Sequence, residues 1–134
     1  MDDIWQKKNG DLIIVDVKAT SRNNFDWSET FDKYDYAKAY KRQLEMYQWL
    51  FKKNDFQVAK EAYLLYFNGK KNEELFNNQL NFDVHLIKLD CSTSWVENKI
   101  IDTVNLLRSD NFPKPSLNCE YCNYLKKRWQ LSIT

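Results

Sequence analysis

The dipeptide Asn9-Gly10 lies between two strand-like runs, MDDIWQK and DLIIVDVKA. Asn-Gly in that setting is the strongest short signal for a hairpin, because both residues tolerate positive φ. The chain is therefore expected to open on an antiparallel β-hairpin. With Asn9 and Gly10 as a two-residue turn, cross-strand partners have numbers summing to nineteen: Lys8 with Asp11, Trp5 with Ile14, and Asp3 with Asp16. Directly opposed Cβ atoms lie about 5 Å apart. Two carboxylates at that separation repel by roughly 3 kcal/mol at an effective dielectric near 20. Strand periodicity puts Lys18 on the same face as Asp16.

Beyond the hairpin, residues 19–34 (ATSRNNFDWSETFDKY) are polar with scattered aromatics and no period, which predicts a long loop. Loops of that length are usually functional or disordered. From about Asp35 to Asn54, Tyr36, Tyr40, Leu44, Tyr47 and Phe51 recur at helical spacing and predict an amphipathic helix. Strands follow at 61–69 and 82–90, and a second helix at 94–109 is stopped by Phe112-Pro113-Lys114-Pro115. The order β-β-α-β-β-α predicts an α/β fold with a mixed sheet and helices on its faces. At 134 residues with 43% hydrophobic content, the chain is expected to form one domain, with a core over 1–110 and a Cys-containing basic tail over 111–134.

Two opposed carboxylates with a lysine beside them suit phosphodiester chemistry. A divalent Mg²⁺ or Mn²⁺ ion turns the repulsion into coordination. It also polarises the phosphoryl oxygen and lowers the pKa of a bound water, while an ammonium stabilises the developing charge. The simpler reading of a bare D-x-K is an ion pair at a strand end, with Asp3 solvated.

The pattern Asp3, twelve residues, then Asp16-Val17-Lys18 resembles the PD-(D/E)xK nuclease superfamily, and in particular its RecB-like branch, which includes CRISPR-associated RecB-like exonucleases. That branch carries Q-x-x-x-Y on the following helix, matched here by Gln43-Leu44-Glu45-Met46-Tyr47, whose first and last residues share a helix face. The resemblance covers about residues 1–90. It implies a restriction-endonuclease-like fold and a metal-dependent DNA nuclease acting in DNA repair, recombination or phage- or CRISPR-type DNA processing. It further implies Asp3 and Asp16 as Mg²⁺ or Mn²⁺ ligands, the Val17 carbonyl as another, Lys18 as catalytic lysine, and Gln43 and Tyr47 as groups that position site and substrate. The alternative is a nuclease-like fold that binds nucleic acid or a partner protein without cutting.

The family's upstream acidic or histidine ligand, on a helix before the first core strand, has no counterpart in these residues, because the sequence starts at the strand carrying Asp3. His85 lies in a late strand and does not fit that role. Cys119-x-x-Cys122 resembles part of the iron-sulfur staple of some RecB-like nucleases. Position 128 is Arg and Cys91 is remote, so no iron-sulfur cluster or four-thiolate zinc site is expected.

Twenty basic and nineteen acidic residues give a formal charge of +1, so DNA, single-stranded or at duplex ends, must be held by local patches. Lys38, Lys41 and Arg42 beside Gln43 form one such group, and Lys126, Lys127 and Arg128 a second. Phe25 and Trp27 are placed either to stack unpaired bases or to anchor their loop, the latter favoured for Trp27. A helicase partner or a homo-oligomer is compatible with the family. There is no apolar run of membrane-spanning length and no signal peptide, which points to a cytosolic protein.

Overall fold

The reversal that opens the chain holds one residue more than a two-residue turn. In the computed structural model, which describes residues 1–73 and 78–131, the Gly10 N–H donates to the Lys7 carbonyl and the Lys7 N–H to the Asp11 carbonyl, both at 2.9 Å. Lys8, Asn9 and Gly10 thus form a three-residue loop, with Gly10 alone at positive φ (+94°) as the bulge residue. Asn9 leaves its backbone in the ordinary region and contributes its side chain, accepting the Asp11 N–H on Oδ1 and donating to Asp11 Oδ2.

Strands β1 (Asp3–Gln6) and β2 (Leu12–Thr20) consequently pair with numbers summing to eighteen: Asp3 with Val15, Ile4 with Ile14, Trp5 with Ile13. This corrects the expected register. A one-residue slip turns every β1 side chain to the other face, so Asp3 does not oppose Asp16.

The remaining strands, β3 (Glu61–Gly69) and β4 (Phe82–Asp90), have the expected bounds. The sheet runs β1-β2-β3-β4, with β2 and β3 parallel and the outer pairs antiparallel. This is the mixed α/β sheet expected from the element order. A parallel pair needs a crossover, and residues 21–60 supply it with two helices, α1 (Trp27–Lys33) and α2 (Asp35–Lys53). Helix α1 falls within the predicted loop. Its start is set by Asp26, whose Oδ1 accepts the Glu29 N–H at 3.2 Å, an N-cap that a search for apolar periodicity passes over.

Helix α2 buries Leu44 against one sheet face, in a cluster with Ile14, Ala62, Leu64, Tyr66, Ile87 and Leu89, and Tyr40, Tyr47 and Phe51 pack at its edge. Phe25 and Trp27 also pack there, with Tyr66 ring centroids at 5.0 and 5.6 Å. They anchor the loop, and Phe25 is thereby engaged with the core and with the half-buried His85. The other face gathers Ile13, Val15 and Ala59 with Trp5, Tyr63 and Leu65.

Two buried polar residues fix α2 against the strand ends. Gln48 Nε2 reaches the carbonyls of Ala59, Lys60 and Glu61. Glu45 accepts the Ser92 N–H (3.1 Å) and the Trp95 indole N–H (2.7 Å). Glu45→Ala leaves both donors without an acceptor and is expected to lower stability by about 2–4 kcal/mol, read from urea unfolding followed by tryptophan fluorescence.

The chain divides into two compact units, Met1–Glu97 and Asn98–Thr134. Helix α3 (Val96–Leu107) begins at the end of the first, and α4 (Glu120–Leu131) gives the tail a helix that its short aromatic sequence did not announce. All three cysteines are free thiols. Burial pushes the Cys91 thiol up to about 11, which suits a structural role. The Cys122 N–H bonds Cys119 Sγ at 3.4 Å and holds that thiol below its usual range. No helix among the described residues is long and apolar enough to cross a membrane.

Candidate active site

Asp16 sits on the helix-covered face of β2 and is only 2% exposed. A carboxylate there costs free energy unless its charge is met. Lys18, two residues on and so on the same face, brings Nζ to 2.6 Å from Asp16 Oδ2. The same ammonium donates to Gln43 Oε1 at 3.3 Å and lies 4.4 Å from the centre of the Tyr40 ring. Gln43 Nε2 in turn donates to Tyr47 Oη at 2.9 Å. Helical spacing explains the array: residues 40, 43 and 47 are three and four apart, so α2 presents all three along one edge above β2. Oδ1 of Asp16 faces the Met1 amino nitrogen at 3.1 Å, and a hydrogen bond from that amino group holds the Tyr47 hydroxyl below the usual tyrosine range.

Of the residues singled out in the sequence, Asp16, Lys18, Gln43 and Tyr47 therefore converge. Asp3 does not join them. Its Oδ2 takes the Trp5 indole N–H (2.8 Å) and its Oδ1 the neighbouring Ile4 N–H (2.8 Å). The carboxylate that reaches β2 beside Asp16 is Asp2, whose Oδ2 accepts the Val17 N–H at 2.7 Å while its own N–H bonds the Val15 carbonyl at 3.2 Å. An Asn-Gly signal taken as a two-residue turn points to Asp3, and the same signal with Gly10 as a bulge points to Asp2. Tyr40 carries no sequence signal beyond the apolar period of its helix.

The basic residues near Gln43 divide. Lys38 is exposed and 3.8 Å from Asp35. Arg42 shares a shallow cleft with Gln43 and Tyr47. Lys41 is turned to a different cleft, with Trp27, Phe31 and Leu89, because residues two apart on a helix point to nearly opposite sides.

A divalent cation suits part of this donor set. Asp16 Oδ2 is buried and has no hydrogen-bond donor in a directed position, although Lys18 offsets its charge. An oxygen left in that condition is a natural ligand for a hard ion. Among the described residues, no three acidic, histidine or cysteine side chains converge. Water and substrate phosphate would have to complete the shell, as Mg²⁺ allows.

With this geometry established, comparison with known proteins gives one finding. The model of the PD-(D/E)XK nuclease superfamily matches residues 1–126. No curated protein and no solved structure matches the chain.

Proposed function

The chain belongs to the PD-(D/E)XK nuclease superfamily, and from that premise we propose that it hydrolyses DNA phosphodiester bonds with Mg²⁺ or Mn²⁺ at the Asp16–Lys18 centre. The observation that carries this reading is the unbroken contact series Asp16, Lys18, Gln43, Tyr47. It links the acid and lysine of β2 to the Q-x-x-x-Y pair of α2, and so favours the RecB-like branch within the superfamily. Exonucleolytic action, and a place in DNA repair, recombination or phage- or CRISPR-type processing, go with that branch.

Asp16, a neighbouring carboxylate and the Val17 carbonyl would hold the ion. When bound, the ion polarises a phosphoryl oxygen and makes a water more acidic. The chain's own groups do the remainder. Lys18 has three N–H donors, of which Gln43 takes one while the ion pair with Asp16 answers its charge, leaving a donor for a phosphate oxygen or the attacking water. Gln43 orients that ammonium. Because Gln43 donates to the Tyr47 oxygen, the phenol proton is left to donate elsewhere, and a phosphate is the natural acceptor. Each of these residues lies in the unit Met1–Glu97.

The direct test is incubation of labelled single-stranded and duplex DNA with the protein in Mn²⁺, in Mg²⁺ and in EDTA. Products are expected with either metal and not with EDTA. A second reading, binding without cleavage, draws on the turning of Asp3 toward Trp5. DNA retained on the protein with no product in either metal would select it, and neither binding nor cleavage would remove both.

The register also predicts which acid assists Asp16. Asp2→Ala is expected to lower cleavage about 10²-fold and Asp3→Ala by less than about tenfold, both measured at saturating metal. The reverse order would mean that the end of β1 rearranges to carry Asp3 across the sheet.

A further inference from the structure

The contact series at the centre does not stop at Lys18. Tyr40, beneath the Lys18 ammonium, meets the edge of Tyr36 at a centroid distance of 5.5 Å. Tyr36 stacks on Tyr34 at 5.4 Å with planes 28° apart. The Arg22 guanidinium lies over both rings, 4.7 Å from Tyr34 and 5.4 Å from Tyr36. A run of three rings thus leads from Lys18 to Arg22, past the carboxyl end of β2. Arg22 follows Lys18 by four residues and lies two residues beyond the end of β2 at Thr20.

Arg22 is held where it is with unusual firmness. Asn68, 7% exposed, accepts the Arg22 N–H at 2.8 Å and donates to the Arg22 carbonyl at 3.0 Å. Both ends of one amide thereby fix the backbone of this loop residue to β3. Its charge is not answered in the same way. Among the described residues no carboxylate pairs with the guanidinium. Asp26 and Glu29 line the same cleft of about 370 Å³, neither forming an ion pair with Arg22, and the Asp26 carboxylate is committed to Ser28 and the Glu29 N–H. A half-buried guanidinium resting on two rings, with its fork of donors unpaired by any anion, is a phosphate site in waiting.

We infer that Arg22, Tyr34 and Tyr36 form the path along which a single-stranded DNA end reaches the Asp16–Lys18 centre, Arg22 gripping a backbone phosphate and the tyrosines stacking unpaired bases. This rests on the proposed nuclease function and names its substrate class. Single strands are specified because ring faces receive bases only when those bases are unstacked and unpaired, whereas a duplex offers phosphates and groove edges. The alternative is that Arg22 merely pins the start of α2 to the sheet, and that role would show in stability and not in the salt dependence of binding.

The test is fluorescence anisotropy of a labelled twelve-nucleotide oligo-dT, and of a blunt duplex of equal length, titrated in EDTA over a range of salt. Arg22→Ala is expected to weaken oligo-dT binding about tenfold and to flatten the slope of log K against log salt by about 0.7, the share of one single-strand phosphate. Duplex binding should change less than twofold. Arg22→Gln keeps a stem over the rings and guards against loss of folding in the alanine variant; it must show the same slope change. An unchanged slope and affinity for oligo-dT in whichever variant retains the parental circular dichroism overturns the path, and so does an equal loss on duplex. Because these titrations contain no metal, their outcome is separable from the parent reading. A protein that cleaves in Mn²⁺ yet is indifferent to Arg22 loses only the path. One that binds oligo-dT through Arg22 and cuts nothing loses only the nuclease.

Discussion

Asp16→Asn is expected to abolish metal-dependent cleavage, by about 10³-fold or more, while the protein stays folded and less stable than the parent. The expected loss of activity follows from removing the one buried carboxylate of the proposed centre, since asparagine keeps the shape and gives up the charge that would hold a divalent ion. The loss of stability is the more discriminating part. Were Asp3 directly opposed to Asp16, removing one member of a repelling pair would spare or even raise stability. In the observed register the partner of Asp16 is Lys18, at 2.6 Å. Neutralising the acid leaves a mostly buried ammonium with only Gln43 and Tyr40 to receive it, at a cost of about 1–3 kcal/mol. Parallel assays of cleavage and of urea unfolding check both halves. A variant that cuts DNA within tenfold of the parent would refute the assignment of Asp16, and a stabilised one would refute the register.

The largest effect on folding is expected at Leu44. This residue is fully buried between Gln43 and Glu45, in one cluster with Ile14 of β2, Leu64 of β3 and Ile87 of β4. Leu44→Ala removes the central contact between helix and sheet, in surroundings too well braced by Glu45 and Gln48 to collapse around the void. A cost of about 3–5 kcal/mol follows, enough to lower the midpoint of thermal unfolding by at least about 12 °C in a unit of this size. Met46, two positions on and 43% exposed, supplies the contrast: Met46→Ala should stay within about 0.5 kcal/mol of the parent. Calorimetry on the two variants decides it, and similar losses in both would mean that α2 is not seated on the sheet through Leu44.

The sequence carried most of the sheet, α2 and the convergence at the centre because each rests on a strong local period. Alternation placed Asp16 and Lys18 on one face, and the three- and four-residue spacing of α2 put Gln43 and Tyr47 on another, so their meeting needed only that the two elements pack. What it did not carry depended on single residues. Whether Gly10 serves as one half of a turn or as a bulge is settled by which φ Asn9 adopts, a choice of small energy with the consequence that Asp2 replaces Asp3 beside Asp16. Helix α1 hinged on Asp26 as a cap in a stretch lacking any apolar repeat. The setting of Arg22 was illegible for a different reason: its partners Tyr34 and Tyr36 lie within the crossover and Asn68 in the strand after it, and nothing in their spacing announces that they meet.

The three-residue reversal at the tip of the hairpin has a reach out of proportion to its place. It is solvent-exposed, yet its length decides which acid is delivered to β2. A deletion or insertion of one residue there would exchange the composition of the reactive centre without altering a single group inside it. Loop length in this hairpin is thus a hidden coordinate of the Asp16 site, and sequences differing at the tip should be aligned by strand phase before their acids are equated.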